Sequence, residues 1–488
     1  MGIVLYNTMT REKEPFQTIE PGKVRFYACG PTVYDLFHLG NARMFVVFDT
    51  VRRYLEYRGY DVRYVQNFTD VDDKIINRAH ELGMNVREVA NRNIHEYFHD
   101  AKALGIREAT VHPRVTECIP DIIDFIAKLV NDGYAYASNG TVYFDTGSFE
   151  DYGKLSHQAT DEMQAGFRIE VSDEKRHPAD FALWKAAKPG EEYWDSPWGP
   201  GRPGWHIECS VMNYLYLGEN IDIHGGGRDL MFPHHENEIA QSEAHSGEPF
   251  ANYWMHNGMI NINGEKMSKS LGNFVTARDL LRQHAGRTIR FYLLSAHYRR
   301  PLNYTEEAMA QAEQALDRID RALLNLDHRK ASLEQAKDLL HQDQVSAFSE
   351  SVAQALEEVR RQFQEAMDDD FNTADAIAAV FEGVRQANSY LAGRMVSLVG
   401  IERWQSMLQE LLEVLGLTDA TLVPLTEAGA DDPDDQQWTA EQVEALLRER
   451  AQARAERDFA RSDEIRDQLL SADIVIEDTP QGARWRRK

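Results

Sequence analysis

The stretch Tyr27–Arg43 constrains this chain most. An apolar run, Val24–Ala28, ends at Cys29-Gly30-Pro31, which neither a continuing strand nor a helix accommodates. A helical pattern then begins near Asn41, with Phe45, Phe48, Val51, Arg52 and Leu55 on one face. A second strand pattern, Asp61–Asn67, follows. Strand, helix and strand over this length make a βαβ unit and hence a parallel sheet. In such a unit the helix N-terminus faces an anion, because its first N–H groups are unpaired. Gly40 leaves no Cβ between backbone and ligand, and Asn41 is a competent N-cap. Cys29 puts a thiol at the strand end beside this nucleotide-type loop.

A chain of 488 residues predicts two to four domains. Its net charge of −26, from 53 basic against 79 acidic residues, argues against a generally polyanion-binding surface. A local basic face remains compatible with nucleic acid. The cysteines, Cys29, Cys118 and Cys209, are too few and too odd in number for a disulfide framework, which predicts a reducing compartment. Cys118 reads as a buried small hydrophobe. No apolar run reaches membrane-spanning length, and the N-terminus lacks a basic leader, so a soluble cytoplasmic protein is expected.

The predicted fold class is α/β: a Rossmann-type parallel-sheet catalytic domain with an insertion, a helical bundle, and a small mixed α/β C-terminal domain. The catalytic domain is expected over residues 1–300, its insertion at about 115–204. In Phe68–Lys74 the three aspartates either hold Mg²⁺ or enrich a helix's first turn. Helical patterns run from about Arg87 to Gly133, and Tyr134–Asp145 predicts a hairpin around Asn139-Gly140. Residues 150–204 read as irregular. The sheet pattern then resumes, with helices at His206–Leu217 and His234–His245 and strands at Asn220–His224 and Tyr253–Asn263. Gly225-Gly226-Gly227 reads as a tight turn. Residues 264–273 form a glycine-bounded loop carrying Lys266 and Lys269. Over 301–425, apolar residues at alternating threes and fours predict four bundled helices, with Asp368–Thr373 as the stop and cap between two. Residues 426–437 read as a linker. Thr439 with Gln442 signals a helix running to about Leu470, and two strands flank Thr479–Gly482.

His234 and Glu238, four apart, share a helix face. With Cys29 and Cys209 they make a tetrahedral Zn²⁺ donor set. Spacing alone leaves this open, since each cysteine could be core and His235 could replace His234. His-His-Glu-Asn-Glu is not a zinc-protease pattern, and His224-Gly-Gly-Gly without Gly-x-Ser-x-Gly is not an esterase's. Lys266 and Lys269 suit a clamp on a departing polyphosphate, against the alternative of two solvated lysines.

His38-Leu39-Gly40-Asn41 and Lys266-Met-Ser-Lys269-Ser270 together resemble the two signatures of class I aminoacyl-tRNA synthetases. Asn41 stands where many of that class carry a second histidine. Cys29-Gly-Pro-Thr-Val-Tyr-Asp, Gly204-Trp-His-Ile-Glu-Cys209-Ser, Asp222-Ile-His-Gly-Gly-Gly, Phe232-Pro-His-His-Glu-Asn-Glu238, Met367-Asp-Asp-Asp-Phe-Asn-Thr and the Trp485-Arg-Arg-Lys terminus resemble the cysteinyl-tRNA synthetase family. The resemblance spans nearly the whole chain. It implies ATP-dependent activation of L-cysteine and transfer to tRNA(Cys). It implies one Zn²⁺ per chain on Cys29, Cys209, His234 and Glu238, reading the substrate sulfur. It implies Mg²⁺ with ATP, a nucleotide cradle of His38, Gly40, Asn41, Lys266 and Lys269, and catalytic roles for His38 and the two lysines. Trp205, His224 and Asp229 would line the amino-acid pocket. The bundle and residues 438–488 would bind tRNA, through Arg484, Trp485, Arg486 and Arg487, with Arg448, Arg450, Arg454, Arg457 and Arg461 adding charge. A monomer is expected. Two rival readings remain: a cysteine:amino-sugar ligase of the mycothiol pathway, and a non-catalytic, zinc-stabilised RNA-binding regulator.

Overall fold

The computed structural model describes residues 2–157, 174–268, 272–335, 350–393, 395–425, 440–455, 458–471, 474–479 and 482–487. The chain divides into two compact units, Met1–Leu425 and Thr426–Lys488.

In the first unit, strands Ala251–Asn257, Ile221–Gly227, Lys23–Ala28 and Asp61–Gln66 lie in that order in one sheet. All three pairings are parallel. Strand alternation splits Lys23–Ala28 between two cores. Phe26 and Ala28 join the core shared with Phe45, Phe48 and Val51 of helix Leu39–Tyr57. Tyr27 and Cys29 join a second core with Ile207, Cys209 and Val211 of helix Ile207–Leu217. One strand therefore feeds both the helix that opens the nucleotide-type loop and the thiol site.

Four local expectations are corrected. The N-cap of Leu39–Tyr57 is His38, whose Nδ1 accepts from the Asn41 backbone N–H at 3.2 Å, so Asn41 lies inside the first turn. The triple glycine ends a strand instead of making a turn. A Cβ on Gly225 would lie 2.7 Å from the Phe48 ring and one on Gly226 2.4 Å from the His235 ring, so close packing excludes side chains there. Residues 150–204 are not wholly irregular. Phe181–Ala186 and Gly201–Pro203 extend the hairpin Ala135–Ser138/Thr141–Phe144 into a four-stranded antiparallel sheet. The second of these strands is three residues long and ends in proline, which erased its period. The helix carrying Glu238 begins at Glu236, and His234 sits in the helical turn Met231–His235 before it. A small hairpin, Val4–Asn7/Glu12–Pro15, precedes everything that the pattern revealed.

The bundle helices are Glu306–Gln335, Glu350–Asp368, Thr373–Leu391 and Leu398–Val414. Their apolar faces continue the core of the sheet. The turn between the second and third bundle helices is anchored on the sheet side. Asp368 accepts from the Tyr54 hydroxyl, and Asp370 accepts from Tyr6 N at 2.9 Å, Tyr298 Oη at 2.8 Å and Arg299 Nε at 2.7 Å.

The second unit holds helices Ala440–Ala455 and Phe459–Ser471 and the antiparallel pair Ile474–Thr479/Gly482–Arg487. The helical stretch expected to about Leu470 consists of these two helices. The linker 426–437 and the Thr439 cap lie outside the described residues.

Candidate metal centre and nucleotide cradle

Cys29 follows the central strand Lys23–Ala28, Cys209 lies in the first turns of Ile207–Leu217, and His234 and Glu238 straddle the start of Glu236–Ser246. Their ligand atoms all lie within 4.8 Å of one another, and all four residues are buried. Cys29 Sγ is 3.4 Å from Glu238 Oε1, Cys209 Sγ is 3.6 Å from His234 Nε2, and His234 Nε2 is 3.0 Å from Glu238 Oε1. A tetrahedral Zn²⁺ with bonds of about 2.0–2.3 Å sets its donors roughly 3.3–3.8 Å apart. The Cys29–Glu238 and Cys209–His234 separations fall in that range and the His234–Glu238 pair is shorter, so the four donors fit that ion once His234 and Glu238 part slightly.

The choice between the two adjacent histidines follows from the same distances. His235 Nε2 reaches Cys29 Sγ at 3.3 Å but stands 4.0 Å from Glu238 Oε1, and its Nδ1 is bonded to His256 Nε2 at 2.8 Å. Cys29, His224 and His235 also converge, as a smaller set sharing Cys29.

The donors are held from behind, as metal ligands require. His206 and His234 share a hydrogen bond between their Nδ1 atoms at 2.9 Å, and His224 Nε2 donates to Glu238 Oε2 at 2.8 Å. Burial pushes the Cys29 thiol well up, while its hydrogen bond to Cys209 lowers that thiol to about 6. Burial opposes charge on His234, yet Glu238 and Cys209 hold it at about 10. Against burial, His224 and His234 keep the Glu238 carboxyl well below the usual range. Burial, reinforced by His224 and Arg228, drives His256 down to about 3.

The residues expected to line the pocket divide. Trp205, 37% exposed, stacks on His234 with centroids 4.3 Å apart and planes at 28°. Asp229 lies exposed in the short turn Arg228–Leu230, folded over Gly227, where a Cβ would meet its Oδ1 at 2.5 Å. His224 is fully buried behind Glu238 and stacked on Trp254, with no surface open to a pocket. The three aspartates after the second strand are engaged by the protein itself. Asp70 accepts from Thr116, Asp72 caps helix Asp73–Leu82, and Asp73 pairs with Lys185 and Arg202. The helix-turn reading of these acids therefore prevails over Mg²⁺.

At the same sheet edge the two signature segments are stitched together. Leu39 N donates to Val275 O and Ala277 N to Phe37 O, bracketing a bridge between His38 and Thr276. A Cβ on Gly40 would meet the His38 ring at 2.9 Å and Met267 Cε at 3.6 Å. Lys266 is exposed at the end of the two-residue strand Glu265–Lys266. Asn273 closes the loop root, accepting from Ser268 N at 2.8 Å and donating to Lys266 O at 3.1 Å. Lys269 lies outside the described residues. Arg484, Trp485, Arg486 and Arg487 lie on strand Gly482–Arg487. Of the helix arginines, Arg448 and Arg454 are exposed, Arg450 is buried, and Arg461 pairs with Glu449 at 2.8 Å, while Arg457 lies outside the described residues.

Sequence reasoning missed Asn67, His206 and His256. Asn67 Oδ1 accepts from Gly30 N at 2.8 Å and stands 3.8 Å from Cys209 Sγ. Its place at the carboxyl end of a parallel strand was the available signal. His206 stands one helical turn before Cys209, which was its available signal, whereas no spacing links His256 to the site.

Residues 15–314 match the family model described as the tRNA synthetases class I (C) catalytic domain. Residues 362–419 match the DALR domain, and 439–486 the cysteinyl-tRNA ligase anticodon binding domain. A Mycobacterium tuberculosis methionyl-tRNA synthetase in complex with methionyl-adenylate shares the fold at TM-score 0.59 and 17% identity, covering 81% of this chain and 90% of that one. An Agrobacterium radiobacter LeuRS–tRNA–LeuAMS ternary complex does so at TM-score 0.61 and 12% identity, covering 83% and 85%. The fold and its two signature segments are those of a class I aminoacyl-tRNA synthetase. The chain is 54% identical to a Brevibacillus brevis cysteine–tRNA ligase over 488 residues and 53% identical to that of Anoxybacillus flavithermus over 487, covering 100% of each chain. It belongs to the cysteine–tRNA ligase family and is an enzyme of that class.

Proposed function

We propose that this enzyme activates L-cysteine with ATP to cysteinyl-adenylate and pyrophosphate, then transfers the cysteinyl group to tRNA(Cys). The substrate carboxylate oxygen attacks the α-phosphorus as the bond to the β-phosphate oxygen breaks. The terminal ribose hydroxyl of the tRNA then attacks the carbonyl carbon, and AMP leaves. No protein nucleophile is needed, so catalysis is positioning and charge stabilisation.

Cys29, Cys209, His234 and Glu238 would hold one Zn²⁺. Bound there, the ion ligates a substrate thiolate strongly and a hydroxyl poorly, which distinguishes cysteine from serine. A site that reads a polar group in this way rejects the wrong analogue by roughly 10⁴–10⁵ without editing. Trp205 and Asp229 flank the amino acid. His38 and Gly40 cradle the phosphates, with Asn41 in the helix's first turn. Lys266 and Lys269 neutralise the departing pyrophosphate, which travels with Mg²⁺.

Residues 1–300 would carry this chemistry, 301–425 the tRNA stem contacts, and 438–488 the anticodon contacts through Arg484, Trp485, Arg486 and Arg487. The match of residues 439–486 to an anticodon-binding model favours tRNA over an amino-sugar acceptor. Among the described residues no helix is long and apolar enough to cross a membrane. The enzyme would act as a monomer, to be checked by sedimentation.

The observation that carries this reading is the convergence of four buried Zn²⁺ donors at the sheet edge that also bears His38. Cysteine-dependent ATP–pyrophosphate exchange, with metal analysis of the same sample, tests it. Exchange with one zinc per chain is expected. Active protein free of zinc would overturn the metal reading, and zinc-loaded protein without exchange would leave only the regulator.

A further inference from the structure

Tyr27 stands two residues before Cys29 on the central strand, so both side chains leave the same face of the sheet. The core on that face also contains Cys209. In the parallel register Tyr27 pairs with His224, and the two rings sit 5.3 Å apart. The phenol is completely buried, and its hydroxyl makes no hydrogen bond of standard geometry among the described residues, the Cys209 thiol being the one acceptor it faces closely. A buried hydroxyl in that state destabilises the fold, a cost that phenylalanine would avoid in the same space. The groups around it give the hydroxyl a use. A tyrosine hydroxyl is an O–H donor at neutral pH, and Cys209, Cys29 and Glu238 are the groups around it that would carry negative charge on a metal. Asn67, the other polar neighbour of Cys209, turns an oxygen toward that sulfur and commits the same oxygen to Gly30 N.

A neutral thiol accepts a hydrogen bond weakly, whereas a thiolate accepts strongly. We propose that Tyr27 is a positioning and specificity residue, its hydroxyl donating to the Cys209 thiolate once the four-residue site is loaded with Zn²⁺. This rests on the metal reading above. Two thiolates and a carboxylate already outweigh the ion's charge by one. A donor on one sulfur stabilises the Cys209 thiolate over the neutral thiol, which favours the loaded site, and it draws negative charge off that sulfur. The ion then keeps more attraction for an incoming sulfur, and the ligand is fixed in orientation.

The test compares wild-type and Tyr27→Phe holoenzymes loaded with Zn²⁺ or Co²⁺. Tyr27→Phe is expected to keep its circular dichroism and to bind Zn²⁺ about 10- to 100-fold more weakly in chelator competition, as for other outer partners of a ligand. The thiolate-to-Co²⁺ charge-transfer band should shift, and the cysteine-to-serine ratio in pyrophosphate exchange should narrow. A difluorotyrosine at position 27, a stronger donor, should move the band the opposite way. Unchanged band and affinity in both variants would overturn the proposal, and so would a difluorotyrosine shift in the same direction as Tyr27→Phe. If wild-type protein binds neither ion, the metal reading itself fails.

Discussion

The base of the candidate site and its lysine loop are built on opposite principles. Cys29, Cys209, His234 and Glu238 are each between 0% and 3% exposed, and they project from a central strand and two packed helices. Lys266 is exposed on a two-residue edge strand whose root is tied by the side chain of one residue, Asn273. The first arrangement suits discrimination, where an ion must meet a sulfur at a fixed distance. The second suits charge neutralisation, where a cation must meet a group that arrives and departs. A buried donor set tolerates little displacement, because its parts are close-packed, whereas a solvated lysine exerts its field over several ångströms.

The sharpest way to break this contrast is Cys209→Ser. One ligand's share of an apparent structural-zinc affinity of about 10–16 kcal/mol is roughly 3–4 kcal/mol. Zinc affinity should therefore fall about 10²- to 10³-fold, with exchange following. Retained stoichiometric zinc in a chelator titration would remove Cys209 from the donor set. Lys269→Ala comes next. Exchange should drop about 10²-fold, the loss expected when one group stabilising developing charge is removed. Zinc content should stay at the wild-type value, and coupled loss of zinc would erase the distinction between the two regions. His206→Asn should loosen the base without dismantling it, weakening zinc about tenfold in the same titration.

Two smaller effects lie outside the centre. Replacing Arg484, Arg486 and Arg487 with alanine should spare exchange. It should also flatten the salt dependence of tRNA binding by about 0.7 in slope per lost phosphate contact. Equal damage to exchange would contradict a separate tRNA role for 438–488. His112, behind the second strand, supplies a pH signature unrelated to metal. Its Nε2 accepts from Ala109 N at 3.0 Å and its Nδ1 bonds Gln66 O at 2.9 Å, an arrangement of the neutral ring, and burial lowers it to about 4. The unfolded chain takes up this proton near pH 6.5 and the folded chain only near 4, so the histidine's contribution is intact above 6.5. It is lost as pH falls toward 4, by at most about 3 kcal/mol. His112→Gln should flatten the melting-temperature profile across that window. An unchanged slope would show that another group sets it.

The period of the apolar residues in 301–425 announced the four bundle helices, because each helix has to bury one stripe and nothing else competes for it. The first βαβ unit was equally legible, as were the four ligand types of the candidate metal site. Other features required the folded chain. That His234 and not His235 faces both Cys209 and Glu238 depends on the turn Met231–His235, where the helical period from Glu238 does not extend cleanly backward. That His224 backs Glu238 depends on its strand register with Tyr27. Gly225 and Gly226 are dictated by Phe48 and His235, side chains remote or unremarkable in sequence. Residue order fixes what repeats locally, since a helix or strand imposes its own spacing. Which imidazole meets which sulfur is a distance between segments 25 residues apart for Cys209 and His234 and 206 apart for Cys29 and His235, and only packing sets such distances.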